Sequence, residues 1–266
     1  MMKKAVLVVS FGVSHQETRK KTIAVCEQEI KQSFAEYDFF RAYTSHRIIE
    51  KIKKKEQLVI DHFHIALENI YRAGYVEVLV QPLYVVGGEE FNQLKWHLLS
   101  YEHKFKKIQL GRPLLTYMAD YIETVEVMKE QLPQLKDHEA LIFMGHGTAN
   151  VAQAAYCALE YVLRDREINA FVGTLTGYPG IDQIIKNLEL NQGKTVILMP
   201  FLLVTGYHVM KDMKGEQAES WKNRLEIRGY EVQVILKGLG EYPGIRKQFI
   251  NHAHQSVQQG DQIWKL

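Results

Sequence analysis

The chain has 266 residues, of which 46% are hydrophobic, 24% charged and 11% aromatic, an ordinary composition for a globular protein. This composition excludes a mainly disordered, collagen-like or disulfide-scaffold chain. Lysine and arginine (33) nearly balance aspartate and glutamate (31), and no long block carries one sign, so nucleic acid is not the expected partner.

Strands and helices alternate through the first half of the chain. Continuous apolar runs, which are typical of strands covered on both faces, predict strands at 4–10, 37–43, 75–81 and 105–110. Helical patterns follow at 16–34, 46–72 (broken around Gln57), 89–104 and 117–131.

The second half shows the same alternation. Its predicted strands are 139–144, 169–175, 194–200 and 231–236. Its predicted helices are 150–165, 179–189, 212–228 and 243–259. Pro179 and Pro243 suit the first turn of a helix, where a missing backbone N–H costs nothing.

The chain also repeats itself once. Residues 5–13 align with 140–148, since both are apolar runs that end in a small residue, an aromatic ring and glycine. Residues 78–90 align with 196–208, including a shared proline. We therefore expect two similar α/β domains, 1–130 and 138–266, with parallel sheets flanked by helices and an active-site cleft between them.

Cysteine usage and hydropathy bear on the compartment. Cys26 and Cys157 are too few for a disulfide framework and are predicted to be small buried side chains, which suits a reducing cytoplasm. The longest apolar run, 196–204, is far shorter than the roughly 20 residues that span a bilayer. The apolar stretch 5–9 after Lys3 and Lys4 imitates a signal peptide, but the repeat identifies it as a core strand.

Ligands of open α/β sheets bind beyond the carboxyl ends of the strands. His146, in a Met-Gly-His-Gly-Thr turn, and His208, where a strand gives way to a helix, both lie at such ends. An imidazole there can ligate a metal or act as a general base, although a turn or capping histidine without a role is the alternative. The predicted substrate-binding residues lie at strand ends as well: Ser10, Phe11, Gly12, Gly87, Gly88 and Tyr207.

Glu90 is the repeat partner of His208, so a duplicated scaffold would place the two on opposite walls of the cleft. A carboxylate facing two imidazoles suits a divalent ion or proton removal. The alternative is structural, because Glu89 and Glu90 begin a helix and acidic residues in a first turn favour the helix dipole.

The remaining histidines and the basic clusters are weaker candidates. His62 and His64 lie two residues apart, which places them on different helix faces, and so do His252 and His254. Other histidines are predicted to be surface or capping residues: His15, His46, His97, His103 and His138. The 19–21 cluster is expected to be a solvated helix face that could also meet an acidic ligand. Phosphate-binding loops, the dinucleotide fingerprint, the nucleophile elbow and C-x-x-C are absent from the sequence.

Several short motifs occur in a distinctive order and spacing: Val8-Val-Ser-Phe-Gly12, Gln81-Pro-Leu, Phe143-Met-Gly-His-Gly147, Gly177-Tyr-Pro179, Met199-Pro200, His208 with Asp212-Met213, Ser220-Trp-Lys222 and Gly238-Leu-Gly-Glu241. Taken together, these motifs resemble the anaerobic sirohydrochlorin cobaltochelatases, the CbiK type of class II tetrapyrrole chelatase, over about residues 2–258.

The resemblance implies a bilobal chelatase fold and insertion of Co²⁺ into sirohydrochlorin, with loss of two pyrrole protons, in anaerobic cobalamin synthesis. By this resemblance His146 is the base and a metal ligand, His208 the second metal ligand, and Glu90 the acidic residue opposite. Fe²⁺ or Ni²⁺ are alternative metals, and the scheme requires no organic cofactor. The partners are then an anionic tetrapyrrole and a divalent ion, with no membrane and with a homo-oligomer as an option.

One position departs from the family's pattern. The family often has a glutamate two residues before the Tyr-Pro pair as a further metal ligand, and here that residue is Thr176. Threonine is neutral and a weak ligand, so metal affinity or choice is expected to differ. Two other functions stay open: a sirohydrochlorin ferrochelatase and a non-catalytic tetrapyrrole or metal carrier.

Overall fold

The computed structural model describes residues 2–136, 138–190 and 194–259. The chain divides into two compact units, one formed by Met1–Thr116 with Pro243–Leu266 and the other by Tyr117–Tyr242. Each unit contains a four-stranded sheet in which every pairing is parallel, as expected for an α/β fold.

The sheet of the first unit has the strand order β2-β1-β3-β4. Its strands are β1 (Lys4–Ser10), β2 (Asp38–Tyr43), β3 (Glu77–Pro82) and β4 (Lys107–Leu110). Its helices are α1 (Gln16–Lys21), α2 (Ile23–Ser33), α3 (His46–Glu56), α4 (Phe63–Arg72), α5 (Glu89–Leu99) and α10 (Pro243–Gln259).

The second unit has the equivalent order, β6-β5-β7-β8. Its strands are β5 (Glu139–Gly145), β6 (Ala170–Thr174), β7 (Thr195–Pro200) and β8 (Glu231–Val234). Its helices are α6 (Met118–Lys129), α7 (Ala154–Asp165), α8 (Ile181–Leu190) and α9 (Trp221–Ile227). A single π-helical turn, Val209–Met213, lies between β7 and α9.

The predicted repeat is visible in the strand register. Val9 of β1 pairs with Pro82 of β3, and the aligned residue Met144 of β5 pairs with Pro200 of β7. In both units the N–H that follows the proline donates to the carbonyl of the paired residue, at 2.8 Å. The shared proline therefore marks the same place in both sheets, where the central strands end.

The compact units differ from the predicted halves 1–130 and 138–266 in the placement of two helices. Helix α6 packs against α7 and so belongs to the second unit. Helix α10, at the end of the described chain, packs against β3, β4 and α2 of the first unit. Arg246 of α10 forms an ion pair with Glu29 of α2 at 2.7 Å, which fixes the helix there.

Two predicted helices are interrupted, and one is much shorter than expected. The helix predicted at 16–34 breaks at Thr22, which has non-helical dihedrals (φ −120°, ψ −86°). The break around Gln57 is present, because α3 ends with Gln57 in the left-handed region. The helix predicted at 212–228 is reduced to α9, because the chain first forms the π-helical turn and an irregular segment.

The two cysteines differ in their burial. Cys26 is buried as predicted, and burial raises the pKa of its thiol to about 12. The prediction was wrong for Cys157, which is exposed on α7 because it lies away from the face that carries Leu159 and Leu163 into the core. Within the described residues, no helix combines the length and the apolar character needed to cross a membrane.

Candidate functional site

His146 and His208 lie close together in the second unit. His146 directly follows β5, and His208 comes eight residues after the end of β7. These strands are neighbours, and the chain continues from β5 to β6 on the opposite side, so the two histidines lie at the topological switch point of the sheet. Their ring centroids are 5.1 Å apart with an interplanar angle of 80°.

The two glycines beside His146 are required by the packing of its turn. A Cβ at Gly145 would lie 2.3 Å from the ring of Tyr156, and a Cβ at Gly147 would lie 1.7 Å from the Thr176 carbonyl oxygen. Gly147 also has φ +86°, a conformation that side chains with a Cβ rarely adopt. Its N–H donates to the Tyr156 hydroxyl at 3.3 Å. The exposed imidazole of His146 is therefore attached to a closely packed turn.

Each imidazole uses its Nδ1 atom within the protein. His146 Nδ1 lies 3.0 Å from the Gly147 carbonyl oxygen, and His208 Nδ1 lies 2.7 Å from Asp212 Oδ2. Carbonyl and carboxylate oxygens only accept, so both Nδ1 atoms donate their hydrogen. In the neutral form, Nε2 of each ring then carries the lone pair, which is the orientation that metal-binding histidines usually have.

The loop after β6 is fastened to the His146 turn. Thr176 donates to the His146 carbonyl through both its backbone N–H (3.0 Å) and its Oγ1 hydroxyl (2.9 Å). The Gln153 side chain links the same loops, accepting from the Thr148 N–H at 2.8 Å and donating to the Tyr178 carbonyl at 2.8 Å. Thr176 therefore lies beside His146, and its hydroxyl binds the protein backbone.

An open cavity of about 530 Å³ connects these features within the second unit, with both histidines, Thr176 and Asp212 on its wall. Buried Trp221 contributes an apolar surface. The cavity also carries charge, because Glu219 and an ion pair between Asp182 and Arg224 line it.

The separation of the two imidazoles fits joint binding of one ion. With a metal–nitrogen distance of about 2.1 Å, each ring centroid would lie about 3.2 Å from the ion, and a tetrahedral angle would separate the centroids by about 5.2 Å. The observed separation is 5.1 Å. Within residues 2–136, 138–190 and 194–259, no three His, Cys, Asp or Glu side chains are arranged to hold a metal. The second unit thus offers a two-histidine site rather than a closed metal cage.

The predicted residues at the end of β1 and directly after it lie at the equivalent edge of the first sheet. Ser10 is buried with a hydroxyl that has no hydrogen-bond partner, whereas Phe11 is 49% exposed. Gly12 has φ +90°, and a Cβ there would lie 2.5 Å from the ring of Tyr43. These positions suit a substrate contact, and their role stays a prediction.

The predicted residues after β3 form the start of α5. Gly87 and Gly88 precede the helix, with Gly88 at its N-terminal cap position. Glu89 is exposed, whereas Glu90 is half-buried. Burial, with the charge of Glu90 as a lesser cause, raises the pKa of the Tyr84 hydroxyl. Both the helix-dipole role and the chemical role of Glu90 therefore stay open.

Tyr207 lies next to the second histidine in space as well as in sequence. Its ring is 62% exposed, and its centroid is 5.6 Å from that of His208. Lys211 lies 5.4 Å from the centre of the Tyr207 ring, and a hydrogen bond with Tyr207 raises the pKa of Lys211. Tyr207 thus forms an exposed aromatic surface beside His208.

Sequence reasoning missed a cluster of four histidines in the first unit. Rings of His46 and His62 stack at 4.1 Å, those of His62 and His64 meet at 4.8 Å, and those of His64 and His97 stack at 3.9 Å. Burial and repulsion by neighbouring histidines lower the pKa of His62, His64 and His97, the last to about 4. The rings converge from α3, α4 and α5, a long-range arrangement that no local spacing reveals.

The prediction for the basic cluster 19–21 was wrong at Arg19. Its side chain is buried, donates to the Val13 carbonyl and forms an ion pair with Glu56, so it is not a solvated group. Lys20 is exposed and pairs with Glu17 on the same helix, as expected for a solvated face.

Comparisons with known proteins agree on one family. The family model for cobalt chelatase (CbiK) matches residues 4–258. A sirohydrochlorin cobaltochelatase of Salmonella typhimurium is 37% identical, and the alignment covers 96% of this chain and 97% of that protein. The sirohydrochlorin cobaltochelatase CbiKC of Nitratidesulfovibrio vulgaris is 30% identical, over 97% and 92% of the two chains.

Solved structures support the fold. The structure of SirB from Bacillus subtilis with Fe³⁺ aligns with a TM-score of 0.64 at 15% identity, covering 96% of each chain. The predicted fold class, two similar α/β units with parallel sheets flanked by helices, is therefore confirmed.

Proposed function

The chain belongs to the cobalt chelatase (CbiK) family, and from this premise we propose that it is a metal chelatase that inserts Co²⁺ into sirohydrochlorin. The product would serve anaerobic cobalamin synthesis. One observation carries the proposal: the ring centroids of His146 and His208 lie 5.1 Å apart, and Nδ1 of both rings is held by a hydrogen bond. This arrangement leaves two Nε2 lone pairs for the ion that is to be inserted.

The chemistry required is transfer of an ion, with two pyrrole protons removed. Nitrogen ligands suit Co²⁺, and a site with only two protein ligands leaves most coordination positions to water and the incoming ring. A loosely held ion is easier to pass to the ring nitrogens, because binding the starting state too tightly raises the barrier. His146 would hold the ion and accept a proton when the ion leaves.

Glu90 is the proposed partner for the second proton. Its carboxylate lies at the start of α5, at the place that corresponds to His208 in the repeat. Ser10, Phe11, Gly12, Gly87, Gly88 and Tyr207 are proposed to contact the tetrapyrrole. Exposed Phe11 and Tyr207 offer aromatic surfaces, and the glycines allow a large flat ring to approach the backbone closely.

The choice of metal follows from the chemistry of the ligands. Imidazole and carboxylate ligands suit Fe²⁺ and Ni²⁺ as well, so a ferrochelatase acting on sirohydrochlorin is the enzymatic alternative. The proposed reaction uses no organic cofactor.

Two free cysteines fit a reducing cytoplasm, where we place the protein.

Absorbance spectroscopy tests the proposal directly. Sirohydrochlorin is mixed anaerobically with Co²⁺, Fe²⁺ or Ni²⁺, with the protein and without it. Faster cobalt insertion with protein than without it is the expected result. Preference for iron supports the ferrochelatase, and pigment binding without any faster insertion supports a carrier, so either result overturns the proposal.

A further inference from the structure

The four-histidine cluster of the first unit, His46, His62, His64 and His97, lies outside the candidate site. We propose that it is a second metal site, in which His62 and His64, joined by His46 or His97, bind a divalent transition-metal ion such as Co²⁺ or Ni²⁺. This inference does not depend on the proposed function.

The central pair carries the argument. The rings of His62 and His64 have centroids 4.8 Å apart and an interplanar angle of 90°. Two imidazoles on one ion would have centroids about 4.5 Å apart at a right angle of coordination and about 5.2 Å apart at a tetrahedral angle. The observed separation lies between these values, close to the 5.1 Å of His146 and His208.

Hydrogen bonding prepares His62 for this role. Its Nε2 lies 3.0 Å from the Thr44 carbonyl oxygen, so Nε2 carries the hydrogen and Nδ1 has the lone pair. A backbone carbonyl that fixes the far nitrogen of a ring is a common support for a metal-binding histidine. The same relationship exists between Gly147 and His146.

The two outer rings supply the remaining ligand. His97 has a buried Nε2 atom without a hydrogen-bond partner, a costly arrangement that an ion would relieve. His46 is exposed at the first residue of α3, so its ring can turn toward the central pair. Some rotation is required, since no three potential ligands among the described residues already surround one point. Imidazoles select transition metals over Mg²⁺ and Ca²⁺, which sets the class of ion.

The test uses a full-length chain with the candidate site removed by His146→Ala and His208→Ala, so that any remaining site is counted alone. Calorimetric titration with Co²⁺, without tetrapyrrole, should show one ion bound per chain. Adding His64→Ala should weaken this binding about tenfold or more. Adding His103→Ala, which removes an exposed histidine from the same unit, should leave it unchanged.

A second measurement, on the same His146→Ala, His208→Ala protein, makes the outcome independent of substitutions within the cluster. Paramagnetic Co²⁺ broadens the NMR signals of nearby imidazole protons, so sub-stoichiometric Co²⁺ should broaden the signals of His62 and His64 first. Absence of Co²⁺ binding in the double variant would overturn the proposal. So would equal affinities with and without His64, or broadening confined to histidines outside the cluster.

Discussion

His208 donates from Nδ1 to the Oδ2 atom of Asp212 across 2.7 Å, within one turn of the chain that includes a π-helical segment. Asp212 is 32% exposed and His208 46%, so the pair is partly shielded from water. The carboxylate fixes the ring orientation and makes Nε2 a better electron donor. We therefore expect Asp212 to act on the ion through His208, as a positioning residue.

The first prediction follows from this pair. Asp212→Ala should weaken Co²⁺ binding and lower the insertion rate by about 10- to 100-fold, because the His208 ring loses its orientation and part of its basicity. Asp212→Asn, which can still accept a hydrogen bond, should recover part of the loss. Asp182→Asn is the matched control, since Asp182 lines the same cavity but pairs with Arg224. Equal losses in Asp182→Asn and Asp212→Ala would contradict a specific role.

The second prediction concerns His146. His146→Ala should abolish most metal insertion and leave the unfolding temperature nearly unchanged, because the imidazole is exposed and its turn is supported by Tyr156 and the flanking glycines. Insertion is followed by absorbance, and the fold by thermal unfolding. His138→Ala removes an exposed histidine from the same unit as a control. Wild-type turnover in a folded His146→Ala protein would eliminate the assignment.

The third prediction separates the two interpretations of Glu90. Glu90→Gln should lower turnover more than it lowers sirohydrochlorin affinity if the carboxylate works on protons or the ion. Glu89→Gln provides the control, because Glu89 is exposed in the same first turn and its substitution removes the same charge from the helix end. If both variants change only thermal stability, Glu90 serves the helix dipole.

Much of this architecture can be predicted from the sequence. The eight strands are predicted to within two residues at each end, because buried parallel strands are continuous apolar runs. His146, His208 and Thr176 are predicted to be neighbours, because strand ends of one parallel sheet meet at one edge. Asp212 belongs to the His208 motif of the sequence, but its hydrogen bond to His208 depends on the π-helical turn, which no periodicity indicates.

Long-range packing sets the limit of such prediction. The sequence of α10 predicts a helix at the correct residues, yet its partners in the first unit come from strands more than a hundred residues earlier. The histidine cluster is also formed by long-range packing, since its rings come from three different helices. His62 and His64 would face apart inside a helix, but His62 occupies the N-cap position of α4 with an extended backbone. It therefore lies outside the helical geometry, which lets its ring contact both His46 and His64.

The fourth prediction concerns stability and pH. Glu27 is 3% exposed, and burial raises the pKa of its carboxyl to about 7 although Arg41 pairs with it. A carboxyl with a raised folded-state pKa contributes stability below its unfolded value of 4.5, and this contribution is lost as the pH rises through about 7. The free energy of unfolding of the wild type, relative to Glu27→Gln, should thus fall by on the order of 3 kcal/mol between about pH 4.5 and pH 7.5.

Urea unfolding of both proteins at the two pH values measures this difference, and other titrating groups cancel in the comparison. Glu29→Gln is the control, since Glu29 lies on the same helix as Glu27, is 31% exposed and pairs with Arg246 of α10. A constant difference between wild type and Glu27→Gln across this range would show that Glu27 stays ionised in the folded protein.

The last prediction concerns Thr176, where chelatases of this type often have a glutamate. Thr176 is exposed, lines the cavity with His146 and His208, and uses its hydroxyl only to bond the His146 carbonyl, which its backbone N–H also bonds. Thr176→Glu therefore keeps the backbone bond and adds a carboxylate near two imidazoles, so Co²⁺ should bind more tightly, measured by calorimetry without tetrapyrrole. Turnover need not rise, because an ion held more firmly passes to the ring more slowly. Thr176→Gln has the same shape without the charge and should leave the affinity near that of the wild type. Equal affinities in all three proteins would mean that residue 176 does not face the ion.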